Sequence, residues 1–343
     1  MQENKTSNRD PAMIRFNKIL VPTDFSEGAE RAYAAAQQIS SIFGGKIDFL
    51  HIVPTLTYLS ESMKKMGVPI DMDQDLFPHI FRDSRHKMEQ LMEDYISENS
   101  RGSIDVRTDR KVAAAITTYA KENNYDLIVM GAKGSHGTAL TRGSVTERVI
   151  RKSSVPVFST NTRVDAQSIS NIVVSTDGSQ RSLSAFPMAV AMAQVFDASV
   201  TLYHVIELYG SHKVTPKFNH KDEQASTYEF LINELQTFLD EQRIESIHLH
   251  RTGVTGEDQI TITDGRTTDT LDLHTVIQKG ITAHVELEAY VNEHGDLLLT
   301  ATHGHSGLAH FFLGSTAEKV ALHVNKPVIT IRPNDKLFET PRA

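Results

Sequence analysis

Cysteine and tryptophan are absent from all 343 residues. Without thiols there is no disulfide, no iron–sulfur cluster, no thiolate metal site and no thiol nucleophile. Positive charge is in short supply: 35 Lys and Arg against 43 Asp and Glu give a formal net charge of −8. That balance counts against nucleic acid or an anionic membrane as the main partner, while leaving room for a local phosphate site. No apolar run approaches the roughly 20 residues that span a bilayer. Met1–Ala12 is polar and lacks the apolar core of a signal peptide. No HExxH pair occurs, and no GKS/T lysine follows a glycine-rich loop. These absences predict a cytoplasmic protein with no membrane span, no nucleic-acid partner and no P-loop.

What is present is a repeat. Leu297–Ala301 is an apolar run, followed by Thr302-His303-Gly304-His305-Ser306-Gly307, then by Gly314-Ser315-Thr316, then by Lys326-Pro327 and the β-branched Val328–Ile331. The same order occurs earlier: Leu127–Gly131, then Ala132-Lys133-Gly134-Ser135-His136-Gly137, then Gly143-Ser144-Val145, then Val155–Phe158. Gly143 to Pro156 and Gly314 to Pro327 are both 13 positions. Each copy reads as a buried strand, a Gly-rich loop, a helix N-terminus and a last strand. Free N–H groups at such a helix start suit a phosphate. Ser144 and Ser315 can cap those helices.

Upstream, Lys18-Ile19-Leu20-Val21-Pro22-Thr23-Asp24-Phe25-Ser26 is mirrored by Asn171-Ile172-Val173-Val174-Ser175-Thr176-Asp177-Gly178-Ser179. Strands and helices alternate, which predicts an α/β fold: two tandem, doubly wound domains with parallel sheets covered on both faces. The expected boundaries are a disordered leader at 1–15, domain 1 at 16–160, a polar linker at 161–170, domain 2 at 171–333 and a tail at 334–343. Helices are predicted over Glu27–Phe43, His79–Glu98, Val112–Glu122, Leu183–Phe196 and Asp222–Gln242. Thr55–Pro78, with Met63, Met66 and Met72, reads as an irregular segment and a candidate surface for a protein partner. Asp264-Gly265 is a hairpin signal, so 251–272 reads as an inserted β-hairpin, the other candidate surface for a protein partner. Ile247–Arg251 and His274–Gln278 compete for the third-strand slot, and the repeat spacing favours the second.

The paired pattern of Asp after the first strand and Gly, two residues, Gly, nine residues, Gly, Ser/Thr resembles the universal stress protein family in tandem form. The resemblance covers Phe16–Thr160 and Asn171–Pro333. It implies five-stranded parallel domains similar to nucleotide-binding electron-transfer flavoprotein domains, and a stress-response regulatory role with ATP or AMP as ligand. Residues implied for the nucleotide are Asp24, Val53, Gly131, Gly134, Gly143 and Ser144 in the first half. Their second-half counterparts are Asp177, Val205, Gly304, Gly314 and Ser315. It also implies that the last strands, Val155–Phe158 and Val328–Ile331, pair within the chain. A homodimer is a further possibility the resemblance leaves open. Two departures stand out. The first half has eight residues between Gly134 and Gly143, one short, and the second has Ala301 where the first has Gly131. The second copy, with its full loop, is the favoured binder. The other reading is a scaffold, or a small-molecule or lipid-binding module with degenerate nucleotide sites.

Twelve of the 16 histidines lie in the second half, with His303, His305 and His310 about its Gly-rich loop. His248 and His250, two apart on a strand, share a face that could in principle bind zinc, but with no partner motif no metal is assigned. No acid–base pair is placed for catalysis, so a dedicated enzyme is not predicted and slow ATP hydrolysis is the most that is expected.

Overall fold

The computed structural model describes residues 15–55, 77–132, 144–208, 223–263, 267–302, 320–321 and 323–333. The first half contains β1 (Lys18–Pro22), α1 (Glu27–Phe43), β2 (Lys46–Pro54), α2 (Phe77–Tyr95), β3 (Arg101–Asp109), α3 (Val112–Glu122), β4 (Leu127–Gly131), α4 (Ser144–Lys152) and β5 (Val157–Thr160). The second contains β6 (Asn171–Ser175), α5 (Gln180–Leu183), α6 (Phe186–Phe196), β7 (Ser199–Glu207), α7 (Glu223–Glu241), β8 (Ile247–Val254), β9 (Glu257–Thr263), β10 (Thr268–Gly280), α8 (Ala283–His294), β11 (Leu297–Ala301) and β12 (Val328–Ile331).

All these strands form one sheet in the order β3-β2-β1-β4-β5-β12-β11-β6-β7-β10-β9-β8. Neighbours from β3 to β5 are parallel, as are those from β12 to β10. The apolar runs are continuous because both faces are covered. Ile19 and Val21 enter one cluster with Ala32 and Ile39 of α1, while Leu20 between them enters the other with Ile116 of α3 and Val149 of α4. Ser26 caps α1 by accepting from the Ala29 N–H, and Gly44 ends it at φ 77°.

The halves meet where β5 and β12 pair antiparallel, Phe158 opposite Ile329. This hides two edges that would otherwise invite association. The stretch 161–170 is more than a polar tether. Val164 and Ile169 are buried in the cluster that spans both halves. Gln38 of α1 holds the stretch from both sides of its amide, donating to the Val164 carbonyl at 2.5 Å and accepting from the Ala166 N–H at 2.6 Å.

Three expectations are corrected. The single helix over Leu183–Phe196 is broken into α5 and α6. Pro187 has no N–H for the Leu183 carbonyl, so the ladder fails at Ser184–Ala185. Pro78 lies in the first turn of α2, a place where proline is tolerated, and not in the irregular segment. The insert is larger than a hairpin. His274–Gln278 does fill the third-strand slot beside β7, but β10 also continues back to pair with β9, and β8 pairs with β9 in turn. The second turn, missed in the sequence, has Gly253 and Gly256 both at φ 86°.

This meander is fastened to α7. The Asp258 side chain is fully buried, accepts from the Tyr228 hydroxyl at 2.7 Å and faces Arg251 Nε at 3.5 Å. Arg251 also grips Glu229 with two bonds, of 2.8 and 3.2 Å, at the surface, where ion pairs contribute little. The buried carboxylate is the stronger fastener. Asp258→Ala leaves the Tyr228 hydroxyl without its acceptor and should lower unfolding stability by about 2 kcal/mol, measured as a lower urea midpoint. Arg251→Met, which leaves the buried Asp258 carboxylate without the guanidinium it faces, should cost a similar amount.

Candidate functional site

In each half the strand order reverses about the first strand: β1 lies between β2 and β4, and β6 between β7 and β11. Ligands in open α/β sheets bind in the crevice outside the carboxyl ends of the strands at such a switch point. Asp24 and Asp177 both stand there, immediately after β1 and β6.

The two crevice floors are built alike. Thr23 N–H donates to Leu50 O, and Thr176 N–H to Tyr203 O, each at 2.9 Å. Asp24 Oδ1 accepts from the Ser26 N–H at 3.1 Å. Asp177 Oδ1 accepts from the Ser179 N–H at 3.0 Å and from its hydroxyl at 2.6 Å. Each aspartate thus shapes the turn into the next helix. His51 Nδ1–H donates to the Thr23 carbonyl at 2.8 Å, and His204 Nδ1–H to the Thr176 carbonyl at 2.9 Å. The sequence reading missed these histidines, although their separation of 153 positions equals that of the two aspartates.

Burial pulls the His51 ring below its ordinary value of 6.5; the Thr23 carbonyl and Asp24 oppose the shift and Lys87 adds to it. A histidine depressed in the folded state takes up its proton more readily when unfolded, so its stability contribution is lost as pH falls below about 6.5. The urea midpoint should therefore drop between pH 7 and 5. His51→Asn, whose amide keeps an N–H at the place of Nδ1 for Thr23, should flatten part of that drop.

Beyond the floors the halves differ. Phe25 adopts a left-handed φ of 61°, and its counterpart Gly178 a φ of 80°. Phe25 packs on His51 at 4.5 Å between ring centroids, with the Lys87 ammonium 5.6 Å from its ring. The buried stripe Ser84, Met88, Met92 of α2 matches Thr227, Leu231, Leu235 of α7, which makes Phe230 the counterpart of Lys87. A Cβ on Gly178 would lie 2.6 Å from the Phe230 ring. The aromatic has moved from the loop to the helix, and glycine makes room for it. The rims differ as well. An open cleft lined by Thr55, Asp109, Arg110 and Lys111 follows β2 and β3, whereas Leu208, Ile281 and Val285 expose an apolar rim in the second half.

The model of the Universal stress protein family matches residues 15–159 and 168–332. The chain belongs to the universal stress protein family. Universal stress protein MJ0531 of Methanocaldococcus jannaschii is 30% identical over 167 residues, covering 48% of this chain and 83% of that protein. Universal stress protein MJ0577 of the same organism is 24% identical over 154 residues, covering 42% and 94%. A universal stress protein from Archaeoglobus fulgidus DSM 4304 shares the fold with a TM-score of 0.56 at 18% identity, over 93% of this chain and 99% of that one.

Within this universal stress protein, Asp24, Val53 and Gly131 gather at the first crevice, and Asp177 and Val205 at the second. Val53 and Val205 are not counterparts. The matched carbonyls of Leu50 and Tyr203 align Val53 with Ile206 and Val205 with Ile52, and one residue along a strand changes the face. Accordingly Ile52 and Val205 pack on the same apolar cluster. Gly131 owes its identity to packing: a Cβ there would lie 2.1 Å from the Gly28 carbonyl oxygen on the first turn of α1. Thr146 Oγ1 donates to the Gly131 carbonyl at 2.8 Å and so ties α4 to the end of β4. Ser144 opens α4. Gly134, Gly143, Gly304, Gly314, Ser315, Lys133, Ser306 and the histidines 303, 305 and 310 lie outside the described residues. His248 and His250 share the open face of β8, and among the described residues no group of three metal-ligating side chains converges. Among those residues, too, no helix is long and apolar enough to cross a membrane.

Proposed function

We propose that this universal stress protein is a stress-response regulator that binds an adenine nucleotide, ATP or AMP, in its second half. The observation that carries the reading is the place of Asp177: at the carboxyl edge of the first strand, at the switch point, beside the strand that leads into the Gly304–Ser315 loop. An aspartate can accept hydrogen bonds from a base or a ribose, and amides at the start of the following helix suit phosphates. The full loop length, the apolar rim of Leu208 and Ile281, and Phe230 behind Gly178 favour the second crevice for a flat purine. The first crevice, with Arg110 and Lys111 at its rim and a loop one residue shorter, is read as the degenerate one. Boundaries at 16–160 and 171–333 belong to the same proposal. A cytoplasmic location follows from the composition. No GKS/T lysine follows either Gly-rich loop, so the nucleotide is read as a signal and not as a substrate.

Protein purified without added ligand and then denatured should release ATP or AMP at close to one per chain, read by chromatography. Release of a lipid or other apolar compound instead would favour the module reading, for which the apolar rim is the supporting observation. No release, together with no heat of binding on ATP or AMP titration, sinks the nucleotide proposal.

A further inference from the structure

The residues just after β5 join α1 of the first half to the stretch before β12 in the second. Arg31 of α1, one turn beyond the Asp24–Ser26 cap, donates to the Asn161 carbonyl at 2.7 Å. The Asn161 side chain crosses the seam, and its Nδ2 donates to the Val324 carbonyl at 3.3 Å. Val324 is fully buried at the end of the last helix of the second half, its N–H bonded to Val320 O. Thr162 Oγ1 bonds the next carbonyl, of Asn325, at 3.3 Å, and the Asn325 N–H is held by Asn292 of α8 at 2.8 Å. In sequence, Gly314 lies ten positions before Val324.

Asn161 is 8% exposed, and its Oδ1 has no hydrogen-bond partner among the described residues; neither has the buried Ser159 Oγ two residues earlier. An orphaned buried oxygen is a cost that an apolar side chain of similar shape would avoid, so stability alone does not account for asparagine here. The amide thus holds Val324 by one bond and leaves its oxygen unpartnered among the described residues.

We propose that Asn161 is a positioning residue that couples the first crevice to the second half: a shift of the first turn of α1 moves Arg31, Arg31 moves Asn161, and Asn161 holds or releases Val324, ten positions after Gly314 of the proposed phosphate step. This regulation rests on the nucleotide reading above for its ligand, but its mechanical part does not. Coupling of this kind between two sites spans about 5- to 150-fold in affinity.

Hydrogen exchange on the full-length, ligand-free protein tests the mechanical part. Arg31→Met and Asn161→Leu should each speed exchange at Val324 and Asn325 about tenfold, and the double variant should be no faster than either, because the two act in series. Gln38→Met, which loosens the linker at Val164 but not at Asn161, should leave those amides unchanged. Unchanged exchange in Arg31→Met, or effects that multiply in the double variant, overturns the coupling. ATP titration tests the regulatory part: Arg31→Met should weaken binding in the second half about fivefold, and an unchanged affinity overturns it. Wild-type protein that binds no ATP removes the nucleotide reading and leaves the exchange result to decide the link.

Discussion

Gly131→Ala should cost about 3 kcal/mol of stability, while Ala301→Gly at the matching place in the second half should cost less than about 1 kcal/mol. Gly131 ends β4 and has no left-handed φ, so its conformation suits alanine. The obstacle is space. A methyl group would sit 2.1 Å from the Gly28 carbonyl oxygen and 2.7 Å from its carbon, both backbone atoms of the α1 first turn. Neither can swing aside like a side-chain tip, so α1 must move as a unit, and with it the Ser26 cap and the Asp24 turn. In the second half this approach does not exist. Arg181 stands where the first half has Gly28, Ala301 is already accommodated, and the helix is interrupted at Ser184–Ala185. Urea midpoints of the two variants measure the contrast. Were Gly131→Ala as stable as wild type but unable to hold nucleotide, the glycine would be there for a ligand and not for α1.

The alternation of strands and helices was legible because a strand buried on both faces must be apolar throughout, and Ile19–Val21, Leu127–Met130 and Leu297–Leu299 are. The seam was legible as well, since the last strand of each half would otherwise be a bare edge. The strand of the insert that lies in the third slot was found by counting from Gly280. The turn at Gly253–Gly256 was not found, because the nearby Asp264-Gly265 is the stronger hairpin signal and one hairpin already accounted for the alternating pattern. The break before Pro187 was legible in principle and was overridden by the continuous apolar run that follows it. At the site, the aspartates and glycines announced themselves by recurrence. His51 and His204 recur just as regularly, but an imidazole inside an apolar run reads as part of the core until a carbonyl is seen to hold its Nδ1. The exchange of Phe25 and Lys87 for Gly178 and Phe230 could not be read, because it joins a loop to a helix about 50 to 60 residues further on, and only packing brings them together.

Gly314→Val should weaken ATP or AMP binding at least 100-fold with a change in melting temperature of no more than a few degrees. The two glycines of the repeated Gly-Ser step, Gly143 and Gly314, then distinguish the halves. If Gly314 precedes the helix as the spacing indicates, a β-branched side chain restricts the backbone at the step where amides must converge on phosphate. Losing two or three hydrogen bonds to a charged group, each contributing about 1.5 kcal/mol, corresponds to a factor of 10² to 10³ in affinity. The fold should tolerate the change, because the buried floor beneath it is anchored elsewhere: Thr302 N–H bonds Ile331 O at 2.8 Å, and Ala301 pairs with Ile331 in the sheet. Gly143→Val should leave affinity and stoichiometry unchanged, since the first crevice is read as the degenerate one. Calorimetric titration of both variants, with thermal melts as the control, decides the assignment. Loss of binding in Gly143→Val with binding intact in Gly314→Val would move the nucleotide to the first half. In that case the eight-residue loop, and not the nine-residue one, would be the phosphate cradle.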